Sequence, residues 1–485
     1  MSSNIPRSCM VRKAFKQWRS AASNARIVSR SVRVRVPEDG VQNAIVDAYV
    51  NRSSRTCCRV ALQRRFEQPP GSIYQGKMEA ERFETAHEIV EAALRRLGRT
   101  KKRFAGAIGR IRPEHLTPAR MRKAEESWIH RDLLWELRGV NRPRVAADLE
   151  LDIAQHQTLM QLYSDLHNVY EGGRVEWTEE SKAVEWGQAG RILFDRSKWR
   201  LAAPFLTRSW KSLLSRKPRF NVSEEHNALL TLLIAGPQLA SILIYLDKIE
   251  AAAAIVRSLA PYTETEAVSD PELLDALGRA EKAAAVVLQR TRAVPPLALE
   301  RHARRSCELL SVSGLPPGPL IGAQRDWAKA CAARACGWAG MAGSPRHAAE
   351  MQVHLNESRR LAGGDGPREG LEDEWLFTEL TAVSCSALLG CREDALRSWE
   401  HLMANQWVHQ ILEAYARTPL PAKFRFTEMS LAAAGGNFDR AAAAARAFQV
   451  DPRSTGFPER RRRAAELERW ATSYGRTSTL GSVLF

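Results

Sequence analysis

The stretch Phe426-Thr-Glu-Met-Ser-Leu-Ala-Ala-Ala-Gly-Gly436-Asn-Phe438-Asp-Arg-Ala441 decides the fold. An apolar helical run ends at a glycine, and a second helical run begins directly after it. Glycine lets the chain leave the first helix with a positive φ. The small alanine five residues on lets the second helix lie close against the first. The same Gly-x-x-x-x-Ala turn occurs in Gly343-Ser-Pro-Arg-His-Ala348 and in Gly390-Cys-Arg-Glu-Asp-Ala395. The three glycines are 47 and 46 residues apart. Weaker versions keep the rhythm upstream, at Ser197 to Ala202, Asp247 to Ala252 and Ala293 to Ala298. Successive steps along all six are 50, 46, 50, 47 and 46. A period of this size marks helical hairpins stacked on their neighbours.

Residues inside these units carry a resemblance. Gly436, Phe438, Ala441 and Pro452 stand where a tetratricopeptide repeat has its turn glycine, aromatic, small residue and closing proline. The run from Gly390 through Trp399 to Met403 is similar to a pentatricopeptide unit, and Gly190 to Phe194 through Trp199 and Ala202 is a looser tetratricopeptide match. The resemblance implies an array with an extended curved surface for peptides, proteins or RNA, and no catalysis. Those repeats run about 34 residues. The longer period here asks for longer helices and carries over no base-reading positions. The expected fold is all-α: an extended helical-hairpin repeat array (a solenoid) preceded by a basic, partly disordered N-terminal region.

Composition agrees. The chain has 485 residues, 44% hydrophobic and 26% charged, normal values for a folded protein. Leu, Ala, Arg and Glu dominate, which are good helix formers. The eight cysteines show no CxxC spacing, so neither a disulfide framework nor a zinc ribbon is expected, and the thiols read as reduced and mostly buried.

The charge is lopsided. The first 144 residues hold 31 Lys and Arg against 14 Asp and Glu, whereas the remaining 341 hold 41 against 41. No acid precedes Glu38, and nine Arg or Lys with seven Ser do. Val11, Phe15, Trp18, Ala22 and Ala25 recur at helical steps among those cations. An acid-free, Arg- and Ser-rich, amphipathic leader is the composition of an organelle transit peptide, with a basic nucleic-acid-binding arm as the other reading. The expected compartment is the mitochondrion, with plastid or cytoplasm as alternatives.

A second basic cluster follows the loop at Pro69-Pro70-Gly71. A helix is expected from Met78, stopping at Gly98. Arg95, Arg96, Arg99, Lys101, Lys102, Arg103, Arg110, Arg112, Arg120, Arg122 and Lys123 put eleven cations into about thirty residues. They are the candidate nucleic-acid contacts, with Phe104 placed to stack on a base. The opposing reading is a solvated helix face balanced by Glu114, Glu125 and Glu126. Arg460 to Arg463 reads as another solvated basic surface. Gly343, Ala348, Gly390, Ala395, Gly436 and Ala441 are structural turn positions.

No phosphate-binding loop, dinucleotide fingerprint or nucleophile elbow occurs. His401 and His409 lie too far apart for a metal pair on one helix turn. Glu372, Asp373 and Glu374 read as acids at a helix N-terminus. No catalytic residue, cofactor or metal is expected. Residues 227–246 carry no charge and reach the length of a membrane span, but Gly236-Pro237 at their centre reads as a break between two buried helices, with Pro237 opening the second.

The organisation expected is leader 1–37, linker 38–76, basic helical region 77–144, repeats at 145–312 and 326–474, and tail 475–485. The function expected is a non-catalytic binding or assembly factor in an organelle, acting on RNA or a ribonucleoprotein. The alternative is a structural subunit or protein scaffold of an organellar complex without nucleic-acid contact.

Overall fold

Nineteen α-helices and no strand occur among the described residues. The computed structural model describes residues 73–473 apart from 118–127, 139–140, 221, 265–267, 292–295, 336–344, 417 and 452–456. The leader, most of the linker, Gly343, Ala293, Arg120, Arg122 and Lys123 therefore lie outside the described residues.

Helices α1 (Ile73–Leu97), α2 (Lys101–Ile108), α3 (Trp128–Glu136), α4 (Asn141–Asp148) and α5 (Ile153–Tyr170) share one core. Phe83, Leu97, Phe104, Leu133, Leu149 and Leu159 fill it. Hairpins follow. They are α6 (Glu179–Asp195) with α7 (Trp199–Arg216), α8 (His226–Tyr245) with α9 (Ile249–Thr263), and α10 (Pro271–Thr291) with α11 (Pro296–Ser313). Next come α12 (Gly318–Ala335) with α13 (Pro345–Ala362) and α14 (Glu372–Leu388) with α15 (Arg392–Ala404). After the short α16 (Trp407–Ala414), α17 (Leu420–Ala434) pairs with α18 (Phe438–Val450), and α19 (Pro458–Thr472) ends the array. Several hairpin helices run well past the two or three turns of an average helix, which is how a 46–50 residue period is filled.

One turn geometry builds these hairpins. Gly390 and Gly436 have φ of +75° and +71°. The Gly436 N–H donates to the Ala433 carbonyl and the Asn437 N–H to that of Ala432. This double closure satisfies carbonyls that a helix end leaves bare. Ser197 and Asp247 adopt the same left-handed conformation without being glycine, at φ of 59° and 58°. Ser197 bonds to Phe194 and Lys198 to Leu193; Asp247 bonds to Ile244 and Lys248 to Leu243. The alanine five residues after each turn, Ala202, Ala252, Ala395 or Ala441, is 0% exposed. The two upstream turns are thus equivalent to the glycine ones, and their alanines sit at the closest helix approach. Ala298 and Ala348 are half-buried.

Gly236-Pro237 does not break the chain. Residues 226–245 form a single helix with Pro237 inside it. A helix-interior proline removes one backbone bond and crowds the preceding turn, a cost of about 3 kcal/mol. Burial on several sides holds the helix together nonetheless, since α8 packs on α6, α7, α9 and α10. Gly236 permits the α9 approach: a Cβ there would stand 2.8 Å from Leu259 Cδ1. The stretch is long and apolar enough to span a membrane, with a mean hydropathy of 1.9, and 72% of it is buried within the protein.

The first helices of successive hairpins, α6, α8, α10, α12, α14 and α17, pack side by side. The stack then curves back on itself. Helix α19 packs on α17 and α18 and also on α8, some two hundred residues earlier in the chain. Trp199 stacks on Tyr245 at 4.6 Å, and Phe457 meets both rings edge-on at 5.4 and 6.0 Å. Arg462 pairs with Asp247 at 2.8 Å beside them.

The turn geometry yields a paired prediction. Ser197→Gly removes the Cβ penalty of a left-handed residue and is expected to raise unfolding stability by about 1 kcal/mol. Ala202→Leu crowds the helix contact and is expected to lower it by about 1–3 kcal/mol. Urea denaturation of both variants checks the two signs.

Candidate functional site: an enclosed cationic cavity and an exposed basic turn

The inner helices surround a cavity of about 590 Å³. Helices α8, α10, α12, α14 and α17, the first members of five consecutive hairpins, line it, and α19 closes it. Ile234, Val286, Phe377, Leu388 and Phe426 supply apolar wall. The charged lining is uneven. Arg279, Lys282, Arg290, Arg325, Lys329, Lys423, Arg460 and Arg463 face Asp195, Asp326, Asp373, Glu374 and Glu459.

The carboxylates are mostly committed. Arg325 pairs with Glu374 and lies over the Phe377 ring. Lys329 pairs with Asp326 at 2.7 Å. Glu459 receives Arg290 and Arg463, each at 3.4 Å. Burial works against the Glu459 charge, but Arg290, Arg463, Arg460 and Arg462 outweigh it and hold its carboxyl at about 2. Asp373 goes the other way: burial, reinforced by Glu374, pushes it up to about 6.

Three cations remain over. Lys423 is enclosed, makes no ion pair among the described residues, and sits near Lys329, Arg460, Arg463 and Arg290, all of its own sign. Burial and then these four charges push its ammonium well below the ordinary lysine value. Lys282 is also depressed by burial, with Asp326 and Glu374 as partial compensation. Gly322 leaves the room its ammonium occupies, because a Cβ there would lie 2.0 Å from Lys282 Nζ. Arg460 spends one N–H on the Pro419 carbonyl at 2.7 Å and finds no carboxylate within ion-pair distance. The Arg290 Nε is buried without a hydrogen-bond partner. Half-buried cations held together without a counter-charge favour an anion that meets them.

Of Arg460 to Arg463, expected on a solvated surface, Arg460 and Arg463 instead form part of the closing wall, while Arg461 and Arg462 do not line the cavity. Arg463 is buried over the Phe426 ring at 4.7 Å, and Arg462 holds Asp247. The array neighbours that turn this helix inward lie far away in sequence. Glu372, Asp373 and Glu374 do occupy the first turn of α14. None of the cavity cations outside α19 stood out in the sequence. One signal was there: Lys282, Lys329 and Lys423 are 47 and 94 residues apart, one and two repeat periods. All three lysines face the cavity.

The described sequence-predicted cations lie elsewhere, on α1, on α2, on their three-residue turn Gly98-Arg99-Thr100 and, for Arg110 and Arg112, just past α2. Thr100 caps α2 by accepting from the Arg103 N–H. Three of the eight that are described are engaged. Arg99 donates to the Leu149 carbonyl at 2.8 Å, Lys101 pairs with Glu91, and Arg110 pairs with Glu136 at 3.0 Å. Arg95, Arg96, Lys102, Arg103 and Arg112 are exposed and have no ion pair among the described residues. Phe104 is 0% exposed in the first core and cannot meet a base. Its helix needs an apolar residue at that inward position.

Among the described residues no group of three or more His, Cys, Asp and Glu is placed to hold a metal. Cys307, Cys331 and Cys385 are buried free thiols and Cys391 is exposed. Burial pushes Cys331 up to about 12. Comparison with protein-family models, with curated proteins and with solved structures finds no match to this chain.

Lys423 makes the cavity testable through stability. The unfolded chain holds the lysine proton up to the ordinary range, about 10.4, whereas the fold releases it earlier. Between those values the unfolded state binds more protons, so stability rises with pH. Lys423→Met is expected to raise stability at pH 7 by about 1–3 kcal/mol, and its advantage is expected to shrink as pH rises towards 10. Urea midpoints of both proteins across that range decide it.

Proposed function

We propose that this chain is a non-catalytic helical-repeat binding factor acting on RNA or a ribonucleoprotein in an organelle. The observation that carries the reading is the exposed basic turn. Between Glu91 and Glu114 the chain has no acid, and five of its cations there are exposed and unpaired among the described residues. Lys102 and Arg103 stand at the α2 N-terminus, where free backbone N–H groups also favour phosphate. Phosphate contacts of this kind give affinity without reading sequence, and the tetratricopeptide-like array adds a second surface for the protein part of an assembly.

The test is RNA binding by the full chain at several salt concentrations. Charge reversal of Arg95, Arg96, Lys102 and Arg103 to Glu is expected to weaken binding and flatten the log–log salt slope by about 3, from about 0.7 per phosphate contact on single strands. Duplex DNA of the same sequence serves as comparator. An unchanged slope, or no binding at low salt, removes this reading.

A second reading keeps the array and drops the nucleic acid: a scaffold subunit of an organellar complex. It draws on Val312, Val353, Met403 and Trp407, large apolar side chains exposed on α11, α13, α15 and α16. Partners retained after nuclease treatment of a pull-down favour it.

The organelle address rests on residues 1–37 alone. Incubation with energised mitochondria is expected to import and shorten the chain. An intact chain left outside removes the address and leaves the binding reading standing.

A further inference from the structure

We propose that the cavity enclosed by the inner helices is a binding site for a small molecule bearing two or more phosphate groups on an apolar or aromatic body. Nothing in the RNA reading uses this cavity, and the proposal does not depend on it.

Part of the cavity's positive charge has no carboxylate partner among the described residues. Lys423 on α17, Lys282 on α10 and Arg460 on α19 converge on one cavity without a carboxylate in ion-pair contact among the described residues. The cavity carboxylates Asp326, Glu374 and Glu459 are each already held by a cation. The charges that act most strongly on Lys423, those of Lys329, Arg460, Arg463 and Arg290, share its sign. A single compact anion would relieve one such group. Several cations brought in from separate helices suit a ligand with several charged oxygens, and Arg460 keeps four of its five N–H donors for them.

Size and wall composition narrow the class further. A volume of about 590 Å³ lies in the range of ligand pockets and exceeds what inorganic phosphate fills. Phe377, Val286, Ile234 and Leu388 line the rest with apolar surface, and Tyr245 and Tyr415 add aromatic rims. A nucleoside-sized body with a diphosphate satisfies both ends. A volume of this size suits a small molecule better than a nucleic-acid chain. Because the ligand bridges helices from opposite ends of the array, occupancy favours the closed ring.

The probes are inorganic pyrophosphate, adenosine diphosphate and adenosine, titrated calorimetrically into the full chain. The two phosphorylated probes are expected to bind and to raise the melting temperature, adenosine diphosphate more tightly than pyrophosphate, and adenosine not at all. Lys423→Met is expected to lose at least about tenfold in affinity, the worth of a charge-assisted bond, while remaining folded. The Arg95, Arg96, Lys102 and Arg103 charge-reversal variant is expected to bind both probes unchanged. That arm separates this site from the basic turn, so failure of RNA binding leaves the cavity standing and the reverse. No heat and no melting shift with either phosphorylated probe overturns the proposal. So does equal affinity in Lys423→Met, or adenosine binding as well as its diphosphate.

Discussion

Trp199 stacks on Tyr245, and Phe457 closes on both rings edge-on. This aromatic knot joins the last helix of the array to its early hairpins, and the cavity exists because of it. A repeat stack needs only nearest neighbours to bury its apolar faces. Nothing in that local rule brings residue 457 to residue 245. The knot supplies the long-range contact, and Arg462 on Asp247 fixes its register. Both partners of that joint sit at repeat turns: Trp199 opens α7 just after the Ser197 turn, and Tyr245 ends α8 just before the Asp247 turn. The left-handed turn that makes each hairpin also presents the side chains that close the ring.

Ring closure has an electrostatic consequence. Once α19 is drawn inward, Arg460 and Arg463 can no longer be solvated like ordinary surface arginines. Arg463 compensates with Glu459 and the Phe426 face. Arg460 has the Pro419 carbonyl and the Phe457 face, with no carboxylate in ion-pair contact among the described residues. The inner lysines, recurring at one and two repeat periods, add to the same volume. A chain selected for stability alone would put apolar residues at such positions, since replacing buried charge with packed hydrophobics is often neutral or better. Retained cations without counter-ions are therefore better explained by something that binds them than by the fold.

Much of the hairpin architecture was legible in the sequence, because it is written locally. Gly436 with Ala441, five residues apart, states the turn and the close approach together. Ser197 and Asp247 state it less clearly, as a serine and an aspartate reveal a positive φ only through the bonds their turns make. Pro237 misled, because proline reads as a boundary unless tertiary burial holds a helix through it. Phe104 misled for a related reason: a basic neighbourhood suggested a base-stacking aromatic, whereas helix periodicity turns it into the core. The cavity was the least legible feature. Its residues come from eight helices and span residues 194 to 463, and only the spacing of Lys282, Lys329 and Lys423 hinted that they share a wall. Arg460 and Arg463 carry no local mark of facing inward at all.

Formal charge by region also takes on a different meaning in three dimensions. The array from residue 145 onwards is neutral, 41 basic against 41 acidic, and by that sum alone has no preference for an anion. The fold segregates what the sum conceals. Eight cations and five carboxylates face the cavity, and the acids that balance the chain lie on other faces. The basic turn between Arg95 and Arg112 shows the opposite arrangement, with its surplus outside and in contact with water. Exposed cations release counterions and hold a polymer loosely at high salt. Enclosed ones are shielded from salt and act over short distances on whatever enters. The protein thus separates two kinds of positive charge, one suited to a long polyanion and one to a small one, and only the first could be seen as a run of residues.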